Sequence, residues 1–402
     1  MKHIIILGDG MADEPIPMLG GKTPLEAART PYMDQLAAMG RNGLLDTVPP
    51  GFKPGSEIAN LSVLGYDLNQ VFEGRGSLEA ASMGVSIAPG EMAMRCNLIT
   101  IEDDKIKNHS AGHISTEEAT ELMEFLQEKL GDDTVSFHPG ISYRHLIKVK
   151  GGNKSLLCTP PHDVPGSPFR EGLVRAETPE AQPTADLLNG LILKSQALLA
   201  SHPVNLKRIK AGKSPANSIW MWSPGYKPEM KTFQELYGLT GSVISAVDLI
   251  KGIGVYAGLN PIEVEGATGL FDTNYEGKAQ AALEALKTVD FLYLHVEAPD
   301  EAGHEGDVEL KIRTIEDLDS RIVGPIYEAV KTWDEPVAIA VLPDHPTPCS
   351  LKIHTRKPVP LLIYKPGNTP DSVEKYSEAC AAEGSYGNLA GDQFIREFLK
   401  DE

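Results

Sequence analysis

Asp344 and His345 close an apolar run over residues 336–341, and His354 stands a little further on. A short apolar run between turn residues reads as a buried strand. The carboxyl end of such a strand is where open α/β sheets place their chemistry. The pattern recurs twice. Residues 289–296 read as a strand followed by Asp300 and His304, which share one face if that segment turns helically. Residues 3–7 read as a first strand, and Gly8-Asp9-Gly10 delivers Asp9 at its end. The flanking glycines permit a tight turn and close backbone approach to an ion or a phosphate. Carboxylate oxygen with imidazole nitrogen suits zinc, manganese and similar divalent ions. Each group alone has an ordinary alternative, an exposed loop pair for Asp344 and His345, a cap or turn former for Asp9. Three strand ends carrying metal-type ligands argue for one site.

Ser56 follows a Gly/Pro-rich loop over 48–55 and precedes Ile58, Leu61 and Leu64 at helical spacing. Most serines before a helix are N-caps. The functional alternative is a nucleophile, which a base or a metal must activate. A helix N-terminus beneath it would stabilise an attached phosphate. With Asp9, Asp344 and His345 around one ion and Asp300, His304 and His354 around another, the chain offers a two-metal site. Such a site clamps the entering and leaving oxygens of a phosphoryl displacement.

These residues must be positioned by a chain of 402 residues, too long for one core of ordinary size, so two domains are expected. The composition, 41% hydrophobic and 23% charged, excludes a largely disordered chain. Lys and Arg total 37 against 56 Asp and Glu, a formal charge of −19. That balance argues against nucleic acid or an anionic membrane as partner. An anionic substrate then needs locally gathered cations, bound metal included. The N-terminal apolar run, residues 4–7, is far short of a signal core or a spanning helix. Cys96, Cys158, Cys349 and Cys380 lie far apart without C-x-x-C spacing, as expected of reduced thiols in a cytoplasmic protein. An oligomer is compatible with the sequence.

Strand and helix alternate at both ends of the chain. Residues 23–39 carry an interrupted apolar stripe, with Pro31 starting a helix capped by Thr30. Beyond about Gly84 the pattern changes. Residues 94–101 and 143–149 read as strands, and Thr116–Leu130 as an amphipathic helix capped by Ser115 or Thr116. Residues 160–185 read as a long surface loop, 187–200 as a helix and 218–222 as a strand. Alternation resumes with 242–247 feeding 249–257. These shifts imply a discontinuous α/β domain, residues 1–85 and 231–402, and an inserted α+β domain, residues 86–230.

The order and spacing of Gly8-Asp9-Gly10, Gly55-Ser56, Asp300-x-x-x-His304, Asp344-His345 and His354 resemble the alkaline phosphatase superfamily. Residues 54–67, Pro-Gly-Ser-Glu-Ile-Ala-Asn-Leu-Ser-Val-Leu-Gly-Tyr-Asp, and 74–80, Gly-Arg-Gly-Ser-Leu-Glu-Ala, look more closely like archaeal-type cofactor-independent phosphoglycerate mutases. Residues 109–115 and 212–220 extend the likeness into the inserted domain, so that it covers nearly the whole chain. The resemblance implies an alkaline-phosphatase-like doubly wound sheet with an inserted lid domain, and two divalent ions, Mn2+, Mg2+, Zn2+ or Co2+. Ser56 matches the family's phosphoryl acceptor. Asp9, Ser56, Asp344 and His345 match one metal set, and Asp300, His304 and His354 the other. Phosphate would pass from phosphoglycerate to Ser56 and back to the other hydroxyl, interconverting 2- and 3-phosphoglycerate. Re-transfer requires that the inserted domain exclude water.

A small phosphorylated carboxylate wants arginine and lysine contacts. Candidates are His109, Arg144, Lys213 and Lys227, each of which has an ordinary reading as a solvated surface residue. Longer bacterial mutases of the superfamily carry a paired-arginine motif at the end of the inserted domain. Here Trp222-Ser223-Pro224-Gly225-Tyr226-Lys227 stands there instead. Bacterial relatives proposed as homoserine kinases make phosphotransfer to a small amino alcohol the second reading, although no G-x-x-x-x-G-K-[ST] loop is present. A phosphomonoesterase needs only the same site with water admitted. A binding protein without activity is disfavoured, because every ligand position is filled.

Overall fold

Ile4, Ile5, Ile6 and Leu7 are all shielded from solvent, so the first strand, Lys2–Gly8, has no solvent face. That is the mark of a central parallel strand covered on both sides. In the computed structural model, which describes residues 1–400, it is the fourth of eight strands. Their order is Asn260–Ile262, Gly241–Ile244, Phe291–Val296, Lys2–Gly8, Val337–Leu342, Val359–Tyr364, Arg41–Asp46 and Asn388–Ala390. Both neighbours run parallel to it, with Leu7 beside His295 on one side and Leu342 on the other. Only Val359–Tyr364 pairs antiparallel. The expected α/β class therefore holds. Because the three central strands end level, Asp9, residues 297–300 and Asp344 emerge side by side.

Side chains alternate between the faces of a strand. Ile4, Ile6, Leu292, Leu294, Ile339 and Val341 share one core with Met33 and Leu36 of the Pro31–Met39 helix and Ile315 and Leu318 of the Val308–Leu318 helix. Each such side chain contributes about 1.5–3 kcal/mol when fully buried. Thr30 does not cap Pro31–Met39, for its side chain makes no cap hydrogen bond. Asp319, in a π-helical turn at Asp319–Val323, accepts the Met33 N–H at 2.7 Å and the Tyr32 N–H at 3.3 Å instead. A wide π turn re-aims its side chains, here towards the open donors of a neighbouring helix.

The chain divides into two units, residues 1–72 with 229–402, and residues 73–228. The second begins ahead of the composition change near residue 86, because the Arg75–Ser82 helix belongs to it. Ala80 packs with Ile87, Ala93 and Leu146, and a Cβ on Gly76 would fall 2.8 Å from Met94 Cα. In this unit Glu91–Glu102 pairs antiparallel with Lys105–Asn108, Arg144–Lys150 and Ser218–Gly225, while Val135–His138 extends the sheet beyond Arg144–Lys150. Thr116–Leu130 is helical with Ser115 as its cap, and Gln182–Leu199 packs beside it in one core. Residues 160–185 are not surface loop throughout. Phe169 and Val174 are buried, and the following helix starts at Gln182, with Pro183 in its first turn. Among the described residues no helix is long and apolar enough to cross a membrane.

Candidate metal centre

Gly10 takes a left-handed φ of 59°, which turns its N–H onto Asp344 Oδ1 at 3.1 Å. The His345 N–H reaches the same oxygen at 2.8 Å, and Asn60 Nδ2 donates to Asp344 Oδ2 at 2.9 Å. His345 Nε2 then stands 3.4 Å from Asp344 Oδ2, 3.6 Å from Asp9 Oδ1 and 3.3 Å from Ser56 Oγ. Asp9, Asp344 and His345 thus present ligand atoms within 4.8 Å of one another, all buried. On the adjacent strand end the Ala298–Glu305 helix stacks Asp300 beneath His304, with Nε2 3.2 Å from Oδ2. His354 Nε2 lies 3.4 Å from Asp300 Oδ1, completing a second group of three. The two groups touch through the His345 and His354 rings, stacked at 3.9 Å between centroids.

The residues fit divalent cations. Asp9 Oδ1 is buried without a hydrogen-bond partner, and buried polar atoms are rarely left so. Burial, then Asp344 and Glu297, push the Asp9 carboxyl well above the usual range. Burial and then Asp300 push Glu297 up to about 8. Four carboxylates gathered out of water call for positive charge between them. His345 and His295 are held neutral, the latter pushed down to about 3, in both cases chiefly by burial. Neutral imidazole is the form that ligates.

His304 behaves oppositely. Its hydrogen bond to Asp300 raises it to about 9, while Nδ1 donates to the Lys352 carbonyl at 3.0 Å. The metal-free ring therefore holds a proton at pH 7 that an ion bound there would have to displace. Below pH 9 proton and metal would compete, and above it they would not. Affinity at the Asp300, His304 and His354 position should rise about tenfold per pH unit from 6 to 8 and level off near 9. Calorimetry in buffers of different ionisation enthalpy should count about one proton released per ion at pH 7. A flat pH profile would show that His304 binds no metal.

Ser56 is the first residue of the Ser56–Val63 helix, with extended Gly55 before it and no side chain capping the turn. Five further residues surround the ligand groups. His295 donates from Nε2 to Asp9 Oδ2 at 2.8 Å while its Nδ1 meets Ser245 Oγ at 3.1 Å. Glu297 closes a third possible cation group with Asp9 and His295. Asn60 ties the Ser56 carbonyl to Asp344, and Tyr293 donates to its Oδ1 at 2.5 Å. Thr347 lies between the two ligand groups. His295 had a visible signal, a polar residue inside a buried strand. Asn60 had a fainter one, a helical turn after Ser56. Thr347 had none.

The candidate substrate cations all fall in the second unit and only two come near each other. His109 and Arg144 flank the Tyr143 ring at 5.9 Å each. Lys213 and Lys227 are exposed, and neither forms an ion pair among the described residues. The ring cluster continues to residues the sequence did not single out. His162 lies 6.2 Å from His109 and 5.4 Å from Trp222, over which Arg95 sits at 4.7 Å and Arg75 at 5.9 Å. Arg95 pairs with Glu79 at 2.8 Å, yet the Nε atoms of Arg75 and Arg95 are buried without acceptors.

The sequence model of 2,3-bisphosphoglycerate-independent phosphoglycerate mutase matches residues 37–205. A Methanosarcina acetivorans protein of that name is 55% identical over the full length of both chains. A Geobacter sulfurreducens protein named as a probable one is 50% identical, again over both full lengths. Among solved structures, a Pyrococcus horikoshii protein, PH0037, is 31% identical with a TM-score of 0.84, covering 100% of this chain and 98% of that one. The cofactor-independent phosphoglycerate mutase from Thermoplasma acidophilum is 27% identical with a TM-score of 0.68, covering 99% of each chain.

Proposed function

Since the chain belongs to the 2,3-bisphosphoglycerate-independent phosphoglycerate mutase family, we propose that it interconverts 2- and 3-phosphoglycerate through a phosphoserine at Ser56. The observation that carries this reading is the Ser56 hydroxyl, 3.3 Å from His345 Nε2 at an uncapped helix N-terminus beside two ligand groups. Asp9, Ser56, Asp344 and His345 would hold one divalent ion, and Asp300, His304 and His354 the other. Two such ions, Mn2+ among the candidates, neutralise oxygen charge and lower the pKa of a bound hydroxyl. The protein supplies the rest. Its helix N–H groups receive the phosphoryl oxygens on Ser56, and return of the phosphoryl group to glycerate requires that water be kept from the phosphoserine. Cys96, Cys158, Cys349 and Cys380 are unpaired, in keeping with a cytoplasmic enzyme.

We assign the substrate's anionic groups to the cluster around Trp222, since Arg75 and Arg95 carry buried donors without acceptors. Arg75→Met should raise KM about 10–100-fold, the scale of a lost charged hydrogen bond, with little change in melting temperature. Arg75 meets Glu79 only at 3.9 Å, so its loss strands no buried partner. An unchanged KM would move the substrate elsewhere. The whole reading is tested by offering metal-reconstituted protein 3-phosphoglycerate without bisphosphoglycerate and following 2-phosphoglycerate. Phosphate release alone would make it a phosphomonoesterase, and transfer from ATP to homoserine would make it a kinase.

A further inference from the structure

Thr347 is wholly buried between the turn after the first strand and the Ala298–Glu305 helix. Its N–H donates to the Ala12 carbonyl at 3.2 Å, and its own carbonyl accepts Lys311 Nζ at 2.8 Å. Lys311 in turn pairs with Asp13 at 2.8 Å, so the threonine's backbone is clamped. Two glycines make room for its side chain. A Cβ on Gly10 would stand 2.7 Å from Thr347 Oγ1, and one on Gly303 would stand 2.9 Å from Thr347 Cγ2. The hydroxyl lies between a residue of each ligand group, hydrogen-bonded to Asp300 Oδ1 and 3.3 Å from His345 Nδ1.

The donors can be assigned. An ionised carboxylate only accepts, so the hydroxyl hydrogen of Thr347 goes to Asp300. The hydroxyl oxygen then has only lone pairs to offer His345, which places the ring hydrogen on Nδ1. Nε2 is left with a bare lone pair, and it is Nε2 that faces Asp9, Asp344 and Ser56. We propose that Thr347 is a positioning residue that joins the two cation positions into one unit, its hydroxyl orienting Asp300 in one and fixing the ligating tautomer of His345 in the other. This rests on the two-ion reading above. Partners of this kind set ring orientation and ligand basicity, and their loss typically costs about 10–100-fold in metal affinity.

Calorimetric titration with Mn2+ tests it in the full-length protein. Thr347→Val keeps the side-chain volume and removes the hydroxyl, and should weaken both binding steps about 10–100-fold. Thr347→Ser restores the hydroxyl and should bind within about threefold of wild type. Two-ion binding by Thr347→Val at wild-type affinity would overturn the proposal, as would Thr347→Ser binding as weakly as Thr347→Val. Should Thr347→Val not fold, nitrogen NMR of histidine-labelled, zinc-loaded wild type decides. An exchange-protected Nδ1–H on His345 is expected, and its absence refutes the assignment. Fewer than two ions in wild type would defeat the two-ion reading and this proposal together, whereas two ions in wild type with an unaffected Thr347→Val would defeat this proposal alone.

Discussion

Ser56→Ala should abolish the interconversion, lowering kcat by about 10^4 or more, the scale seen when a covalent acceptor is removed. The fold should be nearly untouched. Ser56 is the first helical residue and Gly55 the cap, so no capping hydrogen bond is lost, and alanine is the better helix former. A stability change within about 0.5 kcal/mol is expected. Intact mass measured after brief exposure to substrate should show one phosphoryl group on the wild type and none on the variant. A variant that keeps even about a hundredth of the wild-type rate would rule out the phosphoserine route.

What the sequence revealed and concealed follows from where each residue's constraints lie. Asp9, Asp300 and Asp344 are legible because each lies within four residues of the end of a buried strand, and parallel strands bring such ends together. His304 is legible from its spacing to Asp300. Thr347 and Ser245 are not, because what defines them is contact across loops that local pattern does not encode. The cap of Pro31–Met39 fails for the same reason. Thr30 has the right type in the right place, but Asp319 arrives from a distant π turn. The inserted unit starts at residue 73 rather than near 86 because Arg75–Ser82 has the pattern of any amphipathic helix, and its packing, Gly76 against Met94 and Ala80 against Ala93 and Leu146, assigns it to this sheet. Arg95 carries a signal of its own. A lone arginine inside the buried Glu91–Glu102 strand must have partners, whereas exposed Lys213 and Lys227 need none.

Asp9→Asn should separate metal binding from folding and move them in opposite directions. Without metal, wild-type Asp9 is wholly buried beside Asp344, Glu297 and Asp300, and it suffers first from burial and then from their charges. Asparagine has nearly the same shape and no charge. Its amide oxygen can accept the His295 Nε2–H that now reaches Asp9 Oδ2 at 2.8 Å, and its NH2 can donate to Glu297. The metal-free variant should therefore be more stable at pH 8, by about 1–2 kcal/mol or a few degrees in melting temperature. The pH dependence has a definite sign. Asp9 and Glu297 have folded-state pKa values above their unfolded ones, Glu297 at about 8. Their protonated forms thus favour the fold below about pH 4, and that contribution is lost as pH rises through 8. Metal-free wild type should weaken across this window and the variant less so. With metal the order reverses. A site filled at a hundred times its Kd adds about 2.7 kcal/mol to wild type, whereas the variant has exchanged a carboxylate ligand for a neutral amide and should gain little at that position. Melting curves with and without Mn2+ at pH 6 and 8 give four values for each protein. If Asp9→Asn melts lower than wild type without metal and still shows the full Mn2+ shift, Asp9 is a structural residue and the ligand group has been drawn around the wrong carboxylate.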